Sequence, residues 1–502
     1  MSFLSSYSGL IPLLITASAI LASLLTLRFL PKQTRAVPFV NILGLLAAAG
    51  FYGLLWQRKI TAGRILSYWD GIFTVDALSC AFGIIICLCG ALVLLTASSP
   101  KAEISCRRAL LTSVSIGGGL IACSAKELLT CFAALELLTL PIALMLADSA
   151  CGGESEAERR QGLSAGLKYF LTQVSFSAIF LYGVSFIFGT AGSTFLEAAV
   201  QNYICFDGSA AAPRYAFVIG AMFITAGLCG KLGSVPFNIF SANLLNKSCA
   251  AVNMHIAAPF RAALAAVMLR IVWSGLAVQS QDFRLVDTWI IILGILGLLS
   301  LFTGAVRAYK CSDLKDFSAC FSLGQIGLIL LAVMSCAKPL AFEYGPVLTL
   351  VLTAFFALSN IILYSVLHIC EKRQIAVSGQ GLARHSIWAG LLIAVSLAAS
   401  LACPPFLTFT ALKNALTAVL DGSGNYNYLF FAAACGLLIL ALACIKAVKT
   451  LFSAPSEPDV KPAFPLPLLL MDTLITVLLI SVSFLPQLQE TVLLVGQNFP
   501  RP

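Results

Sequence analysis

Apolar residues recur in runs of about 18–22 positions along the whole chain, separated by short polar stretches. Each run matches the ~30 Å hydrocarbon core of a bilayer, which a helix crosses in roughly 20 residues. The runs are continuously apolar and lack the two-residue alternation of a membrane barrel, so strands are excluded as the main element. The pattern predicts about 14 spans. They centre near Ile20, Leu45, Ile85, Gly118, Leu135, Ala178, Phe223, Ala265, Ile295, Leu328, Phe356, Leu392, Leu437 and Leu478. The stretch 401–420 prolongs the twelfth beyond one straight crossing.

Polar connections are short. The longest are 148–161, acidic then basic, and 453–465, rich in proline and charge, and no extramembrane segment is large enough to fold alone. The expected organisation is an N-terminal group of helices (1–105), two channel-like halves (106–280 and 281–450) and a C-terminal helix (451–502). The N-terminus lacks a basic start and a small-residue cleavage site, so it is read as a retained first span.

Two spans are interrupted alike. In the seventh, Lys231 precedes Gly233 and Pro236; in the twelfth, Pro404 and Pro405 precede Lys413. Proline removes an amide donor and clashes with the preceding turn, so each helix is expected to break near mid-membrane. Paired broken helices in two halves of a chain point to an inverted-repeat transporter with ionisable groups at the breaks; plain proline kinks are the alternative.

Composition agrees: 59% of residues are hydrophobic, 11% are charged and the mean hydropathy is +0.95. The net charge of +9 is spread over short loops, without a basic block of the kind that tracks nucleic acid. Lysine and arginine number roughly 18 on odd-numbered loops and about 8 on even ones, which places the odd loops in the cytoplasm. Seventeen cysteines lack the spacing of zinc or iron–sulfur ligands and the setting of a disulfide framework, and read as small buried hydrophobes.

Charge inside apolar runs carries the chemistry. Glu136 has apolar residues on both sides for more than a turn, and inserting a carboxylate there costs about 2.5–3.5 kcal/mol on translocon scales. Lys168, Lys231, Arg261 and Lys413 fall in or at the edge of other apolar segments. One acid with several bases suggests a route for protons. A static pair of Glu136 with Lys168 or Lys231 is the alternative: burial disfavours each charge and pairing restores it. Lys231 can give up a proton, whereas Arg261 can act only as a fixed positive charge. Lys413 resembles Lys231 in setting. Asp76 reads as a helix-end carboxylate near the interface, and His255 and His368 as interfacial residues at helix edges. Dinucleotide fingerprints, phosphate loops and nucleophile elbows are absent, so any redox step that powers transport belongs to another subunit.

These segments resemble the antiporter-like proton-pumping subunits of respiratory complex I, most closely the branch called subunit N. WDGIFTVDALSCAF (69–82) looks like the motif leading into the third span, and KELLTCFAALELLTLPIALMLA (126–147) like the fifth, which puts Glu136 on the essential glutamate. GLKYFLTQVSFSAIFLYGVSFIFGTAGS (166–193) is similar to the sixth, with Lys168 on the partner lysine, and GKLGSVPFNIF (230–240) to the broken seventh, with Lys231 on the central lysine. SDLKDFSACFSLGQIGLILL (312–331) is like the tenth span, and the paired prolines with Lys413 fit the twelfth. The similarity covers about residues 65 to 415.

The resemblance implies two inverted five-helix repeats with broken seventh and twelfth helices, and proton translocation through Glu136, Lys168, Lys231, Arg261 and Lys413. It implies no cofactor in this chain; NADH, FMN, iron–sulfur clusters and quinone would reside in partner subunits, and the partners would be other membrane-arm subunits in a bacterial plasma membrane. Four features depart from the pattern: Arg261 replaces a lysine, Gln325 replaces a histidine, 239–253 (IFSANLLNKSCAAVN) replaces a Trp/Asp/Tyr-containing stretch, and the second proline motif lacks the usual glycine after it. The departures fall between the two half-channels. A subunit of a cation/proton antiporter or membrane-bound hydrogenase shares the core and is the alternative, as is a scaffold subunit that no longer pumps.

Overall fold

A computed structural model describes residues 7–29, 36–60, 65–97, 106–149, 156–204, 211–239, 248–272, 283–336, 345–372, 381–420, 427–453 and 465–484. The architecture is all-α apart from one small hairpin. The helices are α1 (Ile11–Phe29), α2 (Ala36–Leu55), α3 (Ala77–Ala97), α4 (Cys106–Ser124), α5 (Leu128–Ser149), α6 (Glu156–Ala191), α7 (Leu196–Ile204) and α8 (Ala211–Leu232). They continue as α9 (Ala250–Ile271), α10 (Phe283–Lys310), α11 (Leu314–Ser335), α12 (Gly345–Lys372), α13 (Ile387–Ser400), α14 (Leu407–Leu420), α15 (Asn427–Phe452) and α16 (Leu466–Phe484).

Twelve of these contain a segment long and apolar enough to cross a membrane. The other two expected crossings are filled differently. The fourth place holds α4, a complete 19-residue helix whose arginine pair and run of Ser and Gly make it less apolar than the rest. The twelfth place holds two 14-residue helices, α13 and α14, each too short to cross alone.

Both expected breaks are present. α8 ends at Leu232, Gly233 takes a left-handed φ of +80°, and a 3₁₀ turn follows at Phe237–Ile239. The continuation of that broken helix, 240–247, lies outside the described residues. Between α13 and α14 the chain unwinds at 401–406, with Ala402 at a φ of +56°. A cis peptide bond precedes a proline at each break, Val235–Pro236 and Pro404–Pro405.

The described residues divide into two compact units, one comprising those up to 232 and those between 259 and 290, the other those between 233 and 258 and those from 291 on. The chain changes unit where α8 stops, inside α9 at a π turn (Ile256–Phe260) that contains Pro259, and again within α10.

Within the first unit α6 packs against α8 through glycines. A Cβ on Gly183 would sit 2.5 Å from the Gly220 carbonyl, and one on Gly220 2.9 Å from that of Gly183. The second unit uses the same device between α10 and α11, where a Cβ on Gly304 would lie 2.4 Å from the Gly324 amide. Where lipid offers no hydrophobic drive between helices, small residues that let backbones approach supply the packing.

The 69–82 segment supplies the turn and second strand of a hairpin and the start of α3: β1 (Leu66–Tyr68) runs antiparallel to β2 (Phe73–Val75), turned by Trp69, Asp70 and Gly71 at positive φ. Its Tyr68 hydroxyl accepts the Gly9 amide at 2.8 Å. The described cysteines are free thiols, most of them buried in helices.

Candidate functional site

Glu136 and Lys231 meet in the first unit. α5 carries Glu136 two turns after its start, and Pro141, without an amide hydrogen, follows five residues later in the same helix. α8 carries Lys231 in its last turn, immediately before the break. The ammonium donates to Glu136 Oε1 at 3.1 Å; the lysine side chain is fully buried and the glutamate side chain 22% exposed. The Ser177 hydroxyl on α6 donates to the same oxygen. Three helices thus converge on one carboxylate oxygen.

Above Ser177 a polar stripe runs along α6. Tyr169, Gln173 and Ser177 recur every four residues and so share one helix face. The Tyr169 hydroxyl and Gln173 Oε1 are both buried without a hydrogen-bond partner among the described residues. Buried polar atoms left in that condition suit a site for water, which needs two to four polar partners. The serine and glutamine signals in the sequence were too ordinary to single out.

Lys168 stands beside Tyr169 at the far end of the stripe. Its side chain is exposed, nine residues from Ser177 or about 13 Å along the axis. Of the two lysines expected as partners, only Lys231 forms the ion pair with Glu136. Lys413, also expected to be buried, is exposed on α14. Each lies on a helix whose opposite side supplies the core, so its charge points outward. Arg261 is buried in α9, directly after the π turn.

Three residues read as interfacial are buried against protein. His255 lies on buried α9 and is 1% exposed; His368 is buried on α12. Asp76 caps α3, its Oδ1 accepting the Ser79 amide at 2.9 Å, and is held by Arg270, whose two terminal nitrogens reach its oxygens at 3.1 and 2.9 Å. Arg270 Nε also donates to the Cys123 carbonyl at 2.7 Å. Burial works against ionisation of Asp76, but the Arg270 charge and the Arg270 and Ser79 hydrogen bonds outweigh it and hold the carboxyl below the usual carboxylate range. This is the architecture of a permanent pair, and Arg270 went unnoticed in sequence because it sits at the end of its apolar run.

A cleft lined by Lys126, Glu127, Cys131, Glu197 and Arg270 opens at the same end of α5, where Lys126 pairs with Glu197 at 2.6 Å. In the second unit, Gln325 accepts from Asn360 Nδ2 at 2.8 Å, and that same nitrogen lies 3.4 Å from the Ala257 carbonyl in the π turn. The position where the resembled family has a histidine is thus occupied by an amide pair that does not titrate. Asp472, unremarked in the sequence reading, is wholly buried on α16.

Comparison with known proteins gives the family. A family profile described as NADH:quinone oxidoreductase/Mrp antiporter, TM, matches residues 125–439. The chain is 24% identical over 439 residues to NADH-quinone oxidoreductase subunit N of Rubrobacter xylanophilus, covering 86% of this chain and 85% of that one. Its fold matches a chain of Thermus thermophilus respiratory complex I (TM-score 0.74, 22% identity, 97% of this chain and 100% of that one). It also matches a chain of the Mrp complex of Dietzia (TM-score 0.75, 16% identity, 99% and 97%). With the family profile spanning more than half of its length, the chain belongs to the NADH:quinone oxidoreductase/Mrp antiporter family of membrane proteins.

Proposed function

We propose that this chain is a proton-translocating membrane-arm subunit of an NADH–quinone oxidoreductase in a bacterial plasma membrane, assembled with other membrane-arm subunits. The observation that carries the reading is the buried Glu136–Lys231 pair, joined by Ser177 and placed at the point where α8 breaks. The redox chemistry, with its NADH, flavin, iron–sulfur clusters and quinone, belongs to partner subunits; this chain supplies the path.

The pair works as a charge lock. With the partners in contact, each buried charge is compensated. Drawing Lys231 away, which the unwound segment after Leu232 permits, leaves both charges uncompensated in a medium that penalises them. Loss of a proton by Lys231 and gain of one by Glu136 relieve both penalties. Lysine suits this role because its ammonium deprotonates when buried, as arginine does not. The Tyr169–Gln173–Ser177 stripe, with water on its open hydrogen-bonding atoms, connects Glu136 towards the exposed Lys168. Arg261 contributes a fixed positive charge.

The test is the proton-to-electron ratio of the assembled enzyme in vesicles carrying Glu136→Gln or Lys231→Ala. Both variants are expected to assemble and to lower the ratio. A full ratio in both would show that the pair is structural and the chain a scaffold. The Mrp-like fold supports a second reading, a cation/proton antiporter subunit. Co-purification with NADH-oxidising activity on a native gel favours the first reading, and co-purification with membrane subunits alone the second.

A further inference from the structure

The second unit holds a carboxyl that the Glu136–Lys231 mechanism does not use. Asp472 lies on α16, six residues from the helix start and 0% exposed. The Ser365 hydroxyl on α12 donates to its Oδ2 at 2.9 Å, and Oδ1 has no hydrogen-bond partner among the described residues. No lysine, arginine or histidine forms an ion pair with it among the described residues. An ionised carboxylate buried in a membrane span, with one hydroxyl and no counter-charge, is among the least tolerable arrangements in a protein, and such groups mark proton or ion pathways. A protonated carboxyl there needs only hydrogen bonds.

The surroundings extend the argument. α16 packs against α12, α13 and α14. α13 carries no titratable group, and α14 carries only Lys413, which is exposed. α12 carries Tyr364, His368, Cys370, Glu371 and Lys372 near its end. Ser365, His368 and Lys372 follow one another at spacings of three and four, so they share a helix face leading from Asp472 to the end of α12. Ser365 is seven residues from that end and Asp472 six from the start of α16, each about 10 Å along its own helix.

We propose that Asp472 is a proton-carrying carboxyl of the second unit, exchanging its proton through Ser365 and His368 towards the end of α12. The proposal rests on the translocation reading for its purpose but not for its chemistry. Asp472 gains a proton on one oxygen and returns it; no other bond changes.

The experiment is infrared difference spectroscopy of the purified, assembled enzyme in H₂O and D₂O across neutral pH, paired with the proton-to-electron ratio. The expected result is a protonated-carboxyl C=O band that shifts in D₂O, disappears in Asp472→Asn and moves in frequency in Ser365→Ala, with a lowered ratio in Asp472→Asn. The asparagine matches the shape and neutrality of the protonated acid, so folding is preserved, and Ser365→Ala gives a readout that leaves the carboxyl in place. Absence of an Asp472-dependent band overturns the proposal, as does an unchanged ratio with the band present. If Glu136→Gln and Lys231→Ala both retain the full ratio while the band is present and titrates, the Glu136–Lys231 reading fails and the proton site stands.

Discussion

Asp76 and Arg270 are 194 positions apart in sequence and share two hydrogen bonds in a buried contact. Removing one partner of such a pair strands the other charge, a loss of about 3–5 kcal/mol. Asp76→Asn is therefore expected to lower the melting temperature of the detergent-solubilised chain. Because the folded carboxyl titrates below its ordinary value, the pair's stabilisation is present above about pH 3.9 and is lost as pH falls through the lower folded value. The deficit of the variant should accordingly shrink on acidification below about pH 4; a deficit that is constant with pH, or absent, would contradict the pairing. At this scale the sequence was readable where charge interrupts hydrocarbon. Glu136 and Lys231 announced themselves in that way and lie in contact. Asp472 carries the same signal in LPLLLMDTLITVLL and was legible by the same rule. Ser177, Gln173 and Gln325 were not, because a neutral polar residue in a membrane helix is common and only its neighbours give it meaning.

At the scale of elements, the breaks were foreseeable from proline and glycine, and the π turn of α9 was not, since a lone Pro259 does not say whether a helix kinks, bulges or stops. Nor could the apolar pattern separate a crossing from two half-helices, which is why α13 and α14 read as one span with an extension. The α6 stripe belongs to this scale because its role depends on helical spacing rather than on any one residue. Gln173→Leu replaces its central member with an apolar group of similar size and removes the polar atoms that would hold water. We expect the enzyme to assemble and its proton flux to fall by about tenfold, the equivalent of one lost hydrogen bond of about 1.4 kcal/mol. Gln173→Glu, which restores polar atoms at the same place, should recover flux. Normal flux in Gln173→Leu would show that protons reach Glu136 by another face.

For the whole molecule, the exposed lysines bear on assembly. Lys413 stands on an apolar helix with its side chain outward, as Lys168 does on α6. A cationic side chain inside a span either reaches the interface or faces protein and water; it does not rest against lipid tails. Lys413 follows the start of α14 by six residues, about 9 Å, which puts it near the middle of that helix. In a multisubunit membrane arm the economical solution is a neighbouring subunit that presents polar groups to it. Lys413 should then react with a small amine-modifying reagent in the isolated, detergent-solubilised chain and be protected in the assembled enzyme, by tenfold or more in rate, as mass spectrometry of the modified peptides would show. Lys446, whose ammonium is engaged by the Tyr309 carbonyl at 2.6 Å, serves as the internal reference within the same chain. Equal labelling of Lys413 in both forms would place it against water or lipid headgroups and would contradict a covering neighbour.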